Sequence, residues 1–337
     1  MGVEEEARMQ RTRERWIEHV TEMLERAGFY VADTHGVRPS SFDLAARRDS
    51  TLLLVKVLKN IDALDAEEAA RLLELGRLFP ALALVIGQTS GASELDPGVV
   101  YTRYGVPIVS EETLQEYLDK ALPPFLYASP GGTFARIDGA RLRLLRQDRG
   151  LSLGTLAGIA GVSRRAIQLY EEGAGAELSV IDRIEAFLGE PIVRPIELFD
   201  RRPVRPTEEP PAGGKVADAG SGPKPRARTG DALRDGVLDQ LDGMGLEVVV
   251  TVRAPFDAFT RTPEILLASV GSLRAALHRA EILHGLARVS EGHAVFIVRE
   301  TVHRRSISGL PILTVTELRR HRDGDDLIEE ISEREGP

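Results

Sequence analysis

The stretch from residue 149 to residue 173, RGLSLGTLAGIAGVSRRAIQLYEEG, places the tightest limits on how this chain can fold. Ser152 has the chemistry of a helix N-cap, and the apolar residues after it repeat at helical spacing. Gly161 can enter the left-handed conformation that ends a helix, and Ser163 can cap the next one. The segment therefore predicts two short helices joined by a tight turn, which is the layout of a DNA-reading helix-turn-helix.

The second predicted helix carries most of the candidate DNA contacts. Ile167 and Tyr170 fall on its inward face, which leaves Arg164, Arg165 and Gln168 on the opposite side. In the major groove, arginine can make two hydrogen bonds to guanine, and glutamine can make two to adenine. The alternative interpretation is that the two arginines only solvate a surface helix.

Ser163 is a further candidate, because a hydroxyl at the positive end of a helix can donate to a phosphate. More helices are predicted around the motif, at residues 140–150, 178–188 and 192–199, which gives a compact bundle of about five helices.

Over residues 136–199 the chain resembles the Cro/repressor-type helix-turn-helix family. The residues that carry the resemblance are Arg146, Arg149, Gly150, Leu151, Ser152, Leu156, Ala157, Gly161, Val162, Ser163, Ile167, Tyr170, Glu171 and Gly173. That family often places a DNA-contacting glutamine near the start of the first motif helix. Here the candidates for that contact are Ser152 and Leu153, and Ser152 is the predicted DNA-binding residue.

Charge is distributed in agreement with DNA contact at this motif. Residues 136–176 hold seven arginines and four acidic side chains, whereas the whole chain has a formal net charge of −9. Positive charge is thus concentrated where phosphates are expected. An acidic chain argues against non-specific coating of nucleic acid and is compatible with a site-specific reader.

The composition excludes several classes of protein. The 337 residues contain no cysteine, which rules out disulfides, thiolate metal sites and cysteine nucleophiles. The seven histidines show no ligand spacing, so no structural metal is expected. The sequence shows no secretory signal and no apolar run near the roughly 20 residues that span a bilayer. A cytoplasmic protein is the simplest expectation.

Residues 1–128 predict an α/β unit that contains a possible nuclease centre. Helices are predicted at 14–27, 66–79 and 111–120, and strands at 29–31, 41–47, 51–58, 82–86, 99–101 and 108–109. Asp43 and Lys56 lie on the hairpin of the second and third strands, thirteen residues apart. This pair resembles the restriction-endonuclease-like fold, whose motif sets two carboxylates and a lysine around Mg²⁺.

Leu54 stands where the second carboxylate of that motif should be. Asp43 and Lys56 are therefore degenerate catalytic candidates. The alternative is a structural hairpin, in which Asp43 satisfies turn amides and Lys56 pairs with Asp43 or reaches solvent. A nuclease would need a carboxylate from the first helix, such as Glu18 or Glu22, as a replacement ligand.

The C-terminal part, residues 231–330, repeats the order of the first unit. Five segments match in order and spacing: 245–248 with 28–31, 256–257 with 42–43, 265–270 with 52–57, 294–298 with 82–86, and 309–318 with 105–114. In the third match Ser269 replaces Lys56, so the second copy has also lost the lysine. A repeat that lacks polar catalytic positions twice favours scaffolding over catalysis.

Between the predicted DNA reader and the second copy, residues 203–230 contain six prolines, five glycines and few apolar residues. This composition predicts a flexible linker, either a plain spacer or a mildly basic tether that touches the DNA backbone.

The whole arrangement resembles an archaeal family of helix-turn-helix transcriptional regulators. Outside the DNA-reading segment, the resemblance rests on SFDLAARRDSTLLLVKVLKNIDAL at 41–64 and PPFLYASPGG at 123–132. It implies regulation of transcription and supplies neither an effector nor an operator.

The predicted fold class is α/β plus all-α, with two restriction-endonuclease-like α/β units flanking a five-helix Cro/repressor-type bundle. The predicted segments are 1–128 (first α/β copy), 129–202 (DNA-binding bundle), 203–230 (linker) and 231–330 (second α/β copy). The predicted function is sequence-specific binding of double-stranded DNA by helix 163–172, as a homodimer, with another protein such as transcription machinery as a possible partner. No enzymatic activity, cofactor, metal or membrane contact is expected, and the alternative function is a Mg²⁺-dependent nuclease guided by the helix-turn-helix.

Overall fold

The computed structural model describes residues 3–34, 40–199, 229–251, 253–260, 264–299 and 302–335. The predicted linker at 203–230 lies outside these residues except for its last two positions. Among the helices of the described part, none combines the length and apolar character needed to cross a membrane.

Residues 3–120 alternate helices and strands. In chain order these are α1 (Val3–Arg26), β1 (Tyr30–Asp33), β2 (Leu44–Arg48), β3 (Thr51–Asn60), α2 (Ala66–Leu78), β4 (Leu82–Ser90), β5 (Ser93–Glu94), β6 (Val99–Arg103), β7 (Val106–Ser110) and α3 (Glu111–Lys120). The hairpin predicted for Asp43 and Lys56 is present, with Leu44 opposite Val55. Helix α1 starts about three turns before the predicted residue 14, and α3 has the predicted bounds.

The middle of the chain is mainly helical. It contains β8 (Leu126–Ser129), β9 (Gly132–Ile137), α4 (Gly139–Asp148), α5 (Leu153–Ala160), α6 (Arg164–Glu171), β10 (Gly175–Glu177), α7 (Leu178–Leu188) and β11 (Val193–Arg194). The core between these helices is formed by the apolar faces that the sequence pattern marked, including Leu142, Leu156, Ile167, Ile181 and Ile184.

The prediction of a fifth helix at 192–199 is wrong. Val193 and Arg194 instead pair with Ile137 and Arg136 of β9, so the described part of this region has four helices with strands beside them. Pro195 explains part of the difference, because it lacks the N–H that a helix interior requires. Two large apolar side chains of α4 and α7, Leu144 and Phe187, are 58% and 49% exposed.

The C-terminal part is again α/β. Its elements are α8 (Ala232–Gly243), β12 (Val249–Val250), β13 (Ala258–Thr260), β14 (Leu266–Gly271), α9 (Leu273–Ser290), β15 (His293–Val298), β16 (Ser306–Ile307), β17 (Leu310–Thr314), α10 (Val315–Leu318) and α11 (Gly324–Arg334). Helix α10 begins with a capping box, in which Thr314 and Glu317 each satisfy a backbone N–H of the other.

The described residues form two compact units. The first takes them from 1–57, 70–83 and 217–337, and the second from 58–69 and 84–216. In the first unit, β1, β2 and β3 pair antiparallel, and β12, β13 and β14 do the same. In the second unit, β7 pairs parallel with β4 and antiparallel with β6, β6 pairs parallel with β8, and β9 pairs antiparallel with β8, β10 and β11.

The strand pairing reproduces the repeat seen in the sequence. Strands β15, β17 and β16 pair parallel and then antiparallel, as β4, β7 and β6 do. Single hydrogen bonds recur as well: Thr34 Oγ1 donates to the carbonyl of Phe42 over 2.9 Å, and Thr251 Oγ1 donates to that of Phe256 over 2.7 Å. The two copies therefore share local geometry at matched positions.

Candidate nucleic-acid interface

Local cap chemistry fixes the first motif helix, α5. Ser152 Oγ accepts a hydrogen bond from the Thr155 amide over 3.0 Å and lies 2.8 Å from Thr155 Oγ1. At the other end, Gly161 adopts φ 69° and ψ 32°, which a residue with a Cβ reaches only with strain. The Val162 amide then donates to the carbonyl of Ala157 over 3.0 Å, so the turn after α5 is closed by backbone hydrogen bonds.

Helix α6 is the candidate reading helix. Ser163 Oγ accepts from the Ala166 amide over 3.1 Å, which caps the helix and leaves its own O–H able to donate. Ile167 is fully buried, whereas Arg164, Arg165 and Gln168 are exposed. The structure thus separates the predicted inward and outward faces.

The three outward side chains are largely uncommitted. Neither Arg164 nor Arg165 has a hydrogen bond or ion pair to the described part of the chain. Gln168 Nε2 has one long hydrogen bond of 3.4 Å, to Glu172 Oε1 one turn along the helix. Long polar side chains on the exposed face of a helix, with at most one weak internal hydrogen bond, are able to contact an external ligand.

An ion cluster around the buried carboxylate of Glu171 holds α6 against α4. Glu171 is 8% exposed, and its carboxylate accepts from Arg146 Nε, from Arg146 Nη2 over 3.1 Å and from Arg143 Nε over 3.2 Å. Arg146 Nη1 also donates to the carbonyl of Leu151 over 2.9 Å, just before α5. The hydrogen bonds to Glu171 raise the pKa of Arg146 above its usual value and outweigh the opposing effect of burial.

Arg146 and Glu171 thus set the position of α6 without facing outward. The sequence marked both as signature residues of the motif, but it gave no indication that they contact each other. Gly139 provides a second close contact between α4 and α6, because an added Cβ would overlap the carbonyl of Glu171.

The nuclease-like centre of the first copy is occupied by an arginine. Asp43 Oδ2 accepts from the Val57 amide over 2.8 Å, and both carboxylate oxygens lie 2.7 Å from Arg13 Nη2. The same nitrogen also donates to the carbonyl of Val57 over 3.2 Å. With its side chain only 6% exposed, Asp43 is engaged from two sides by this chain itself.

The residues around Asp43 do not fit the Mg²⁺ ion that a restriction-endonuclease-like fold would hold. Leu54 is buried in the place of a second carboxylate, and Lys56 is also buried. Glu18 and Glu22, the candidate replacement ligands, are exposed on α1. Among the described residues, no group of three or more acidic, histidine or cysteine side chains could hold a metal ion. A guanidinium therefore supplies the positive charge next to Asp43.

The second copy has the same kind of pair. Asp257 Oδ2 accepts from the Val270 amide over 2.7 Å, and Asp257 Oδ1 lies 3.0 Å from Arg234 Nη2 of α8. Ser269, which replaces the lysine, donates to Asp257 Oδ2 over 3.3 Å.

The two arginines come from different places in their helices. Aligning Gly28 with Gly245 sets Arg234 level with Ile17, which is one helical turn after Arg13. The aspartate position is thus common to both copies, whereas the arginine position is not. For this reason the repeat in the sequence could not reveal the pair.

Comparisons with known proteins agree with these two parts of the molecule. Residues 13–124 match the model of the PD-(D/E)XK superfamily domain, and residues 139–192 match that of a helix-turn-helix domain. The protein thus combines a nuclease-superfamily α/β domain with a helix-turn-helix. No solved structure matches it significantly.

Relatives extend over nearly the full chain. They include proteins provisionally named HTH-type transcriptional regulatory proteins from Halorubrum lacusprofundi (38% identical, covering 94% of this chain and 96% of the relative) and Halobacterium salinarum (39%, 94% and 96%). One from Methanocella arvoryzae is 35% identical and covers 96% of this chain and 97% of its own. The chain belongs to this family of archaeal HTH-type transcriptional regulatory proteins.

Proposed function

We propose that the protein is a transcription regulator that binds specific double-stranded DNA sequences by inserting α6 into the major groove. The observation that carries this proposal is the outward face of α6, where Arg164, Arg165 and Gln168 stand exposed beside the capping hydroxyl of Ser163. Arginine and glutamine match the edges of guanine and adenine. Ser163 and Ser152 would contact phosphates and set the register of the helix on the duplex.

One such bundle covers only a short half-site, so we propose that two chains bind together at a two-fold operator. The boundaries 128/129, 202/203 and 230/231 stay predictions about the four segments of the chain. We also propose that the protein acts in the cytoplasm and has the transcription machinery as a further partner, which its similarity to transcriptional regulatory proteins supports.

Selection of bound sequences from a random DNA library tests the proposal. An enriched motif is expected, and a palindrome would indicate two chains. Arg164→Ala and Gln168→Ala should each weaken binding to the selected site by about 1–3 kcal/mol and relax the preference at single base pairs. Arg194→Ala removes one exposed positive charge from β11 and serves as the matched control. Equal losses for all three variants on every sequence would show that α6 does not read bases.

We further propose that the nuclease-like domain is not a nuclease, because Asp43 is held by Arg13 and lacks a second carboxylate beside it. Incubation of DNA with the wild-type protein and Mg²⁺ or Mn²⁺ should leave the DNA intact. Cleavage that disappears in Asp43→Ala would establish the nuclease alternative instead.

A further inference from the structure

The compact unit formed by the described residues of 1–57, 70–83 and 217–337 contains an interface between the two α/β copies. Helix α9 of the second copy lies on β1 of the first, and its Gly285 faces Ala32 so closely that an added Cβ would be 3.2 Å from that of Ala32. One turn along, the Arg288 guanidinium is 4.7 Å from the centre of the Tyr30 ring.

The adjacent strand β2 is bound by the end of the same helix. Arg47 Nη1 donates to the carbonyl of Val289 over 3.3 Å, and Arg47 also forms an ion pair with Glu291. In the loop before Asp43, the amide of Ser41 donates to the carbonyl of Arg253 over 2.8 Å. Ser41 is 1% exposed, so this part of the interface is closed to water.

The first copy in turn contacts the hairpin of the second copy, and these contacts complete the interface. Phe79, which follows α2 of the first copy, packs edge-on against Phe256 and Phe259 of the second, with ring centres 5.6 Å and 4.9 Å apart. Aligning residues 82–86 with 294–298 sets Phe79 level with Glu291. Each copy therefore places the residue after its second helix, α2 or α9, against the hairpin of the other copy.

We infer that the second copy is the permanent partner of the first and occupies, within one chain, the place that a second chain would take in a two-fold pair. Reciprocal contact between equivalent positions is how two identical subunits pair around a two-fold axis. Here both surfaces belong to one chain and cover each other. Under the function proposed above, each chain then supplies one DNA-reading helix for every two α/β copies, and two chains on DNA must meet through other surfaces. The pairing of the two copies itself holds whether or not α6 reads DNA.

A designed disulfide tests the pairing, because the natural chain has no cysteine. In Ala32→Cys/Gly285→Cys the two Cβ atoms start 3.2 Å apart, a few tenths of an ångström less than the roughly 3.5–4.5 Å of a disulfide. Oxidation should give a cross-link within one chain at all protein concentrations. Linked sites have an effective concentration on the order of 1 mM, so at about 1 μM protein the one-chain product should exceed the two-chain product roughly a thousandfold.

The control variant is Ala32→Cys/Leu277→Cys, which has its second cysteine on the exposed side of α9, about 12 Å along the helix from Gly285. It should stay unlinked. Denaturing, non-reducing gels separate the products. A predominant two-chain product overturns the inference, and so do two cysteines in the first variant that remain free to react with a thiol reagent.

A second measurement covers the case in which a cysteine at Gly285 prevents folding. A protease site inserted after residue 209 allows an otherwise wild-type chain to be cut between the copies. The two fragments should then elute together in size exclusion and separate only in denaturant. Separate elution under native conditions overturns the inference.

Discussion

Replacing Arg13 with alanine should destabilise the first copy, because it leaves the carboxylate of Asp43 buried without its guanidinium. Breaking a buried ion pair from one side costs about 3–5 kcal/mol. Arg13 is 26% exposed and Asp43 6%, so partial screening by solvent lowers the expected loss to about 2–3 kcal/mol. Asp43→Asn should cost less, about 1 kcal/mol, because the partly exposed guanidinium can then be hydrated.

Trp16 makes the measurement specific. It is the single tryptophan of the chain, it lies on α1 one turn after Arg13, and it is 9% exposed. Urea unfolding followed by its fluorescence should give a midpoint about 1–1.5 M lower in Arg13→Ala, for an m value of about 2 kcal/mol/M. The control is Arg15→Ala, an exposed arginine on the same helix, which should unfold as the wild type does.

The loss of unfolding free energy in the double variant Arg13→Ala/Asp43→Asn should be about 1–2 kcal/mol smaller than the sum of the two single losses. The ion-pair reasoning is refuted if Arg13→Ala has the midpoint of Arg15→Ala, or if the losses of the two single changes simply add.

Three further predictions concern other parts of the chain. Gly139→Ala should lower the thermal midpoint and weaken DNA binding, because its Cβ would overlap the carbonyl of Glu171; an unchanged melting curve would contradict the contact. Gly161→Ala should lower the free energy of unfolding by about 1 kcal/mol, because a residue with a Cβ adopts the φ of 69° only with strain. Urea unfolding measures this change. The hydrogen bond to Glu335, 3.0 Å long, and a second carboxylate raise the pKa of His293 above 6.5. The stabilisation from His293 should thus be complete below about pH 6.5 and be lost as the pH rises through the elevated pKa; His293→Gln should flatten this pH dependence of the unfolding free energy.

The sequence predicts best those features that depend on near neighbours. Ser152, Gly161 and Ser163 act on residues within a few positions, and all three have the predicted roles in the caps and turn of the motif. The hairpin of Asp43 and Lys56 is predicted for the same reason, since strand alternation and turn residues are local signals.

Features that depend on distant contacts are missed. Val193 has no local signal for a strand; it pairs with Ile137, more than fifty residues earlier, and this tertiary pairing overrides helical spacing. Arg13 reaches Asp43 across thirty residues. Its counterpart Arg234 stands one turn away in the alignment, so even the internal repeat gives no clue to it.

Strand β9 limits how the helix-turn-helix of this protein could be moved into another protein. It pairs with β8, β10 and β11, and β8 pairs in turn with β6 at residues 99 and 100. A fragment cut out at residue 129 would leave β9 without its β8 neighbour and expose open hydrogen-bonding groups along a sheet edge. Helices α5 and α6 are therefore poor candidates for transplantation as an isolated fragment. Chimaeras that exchange only residues 152–173 within the intact chain would preserve the strands that support them.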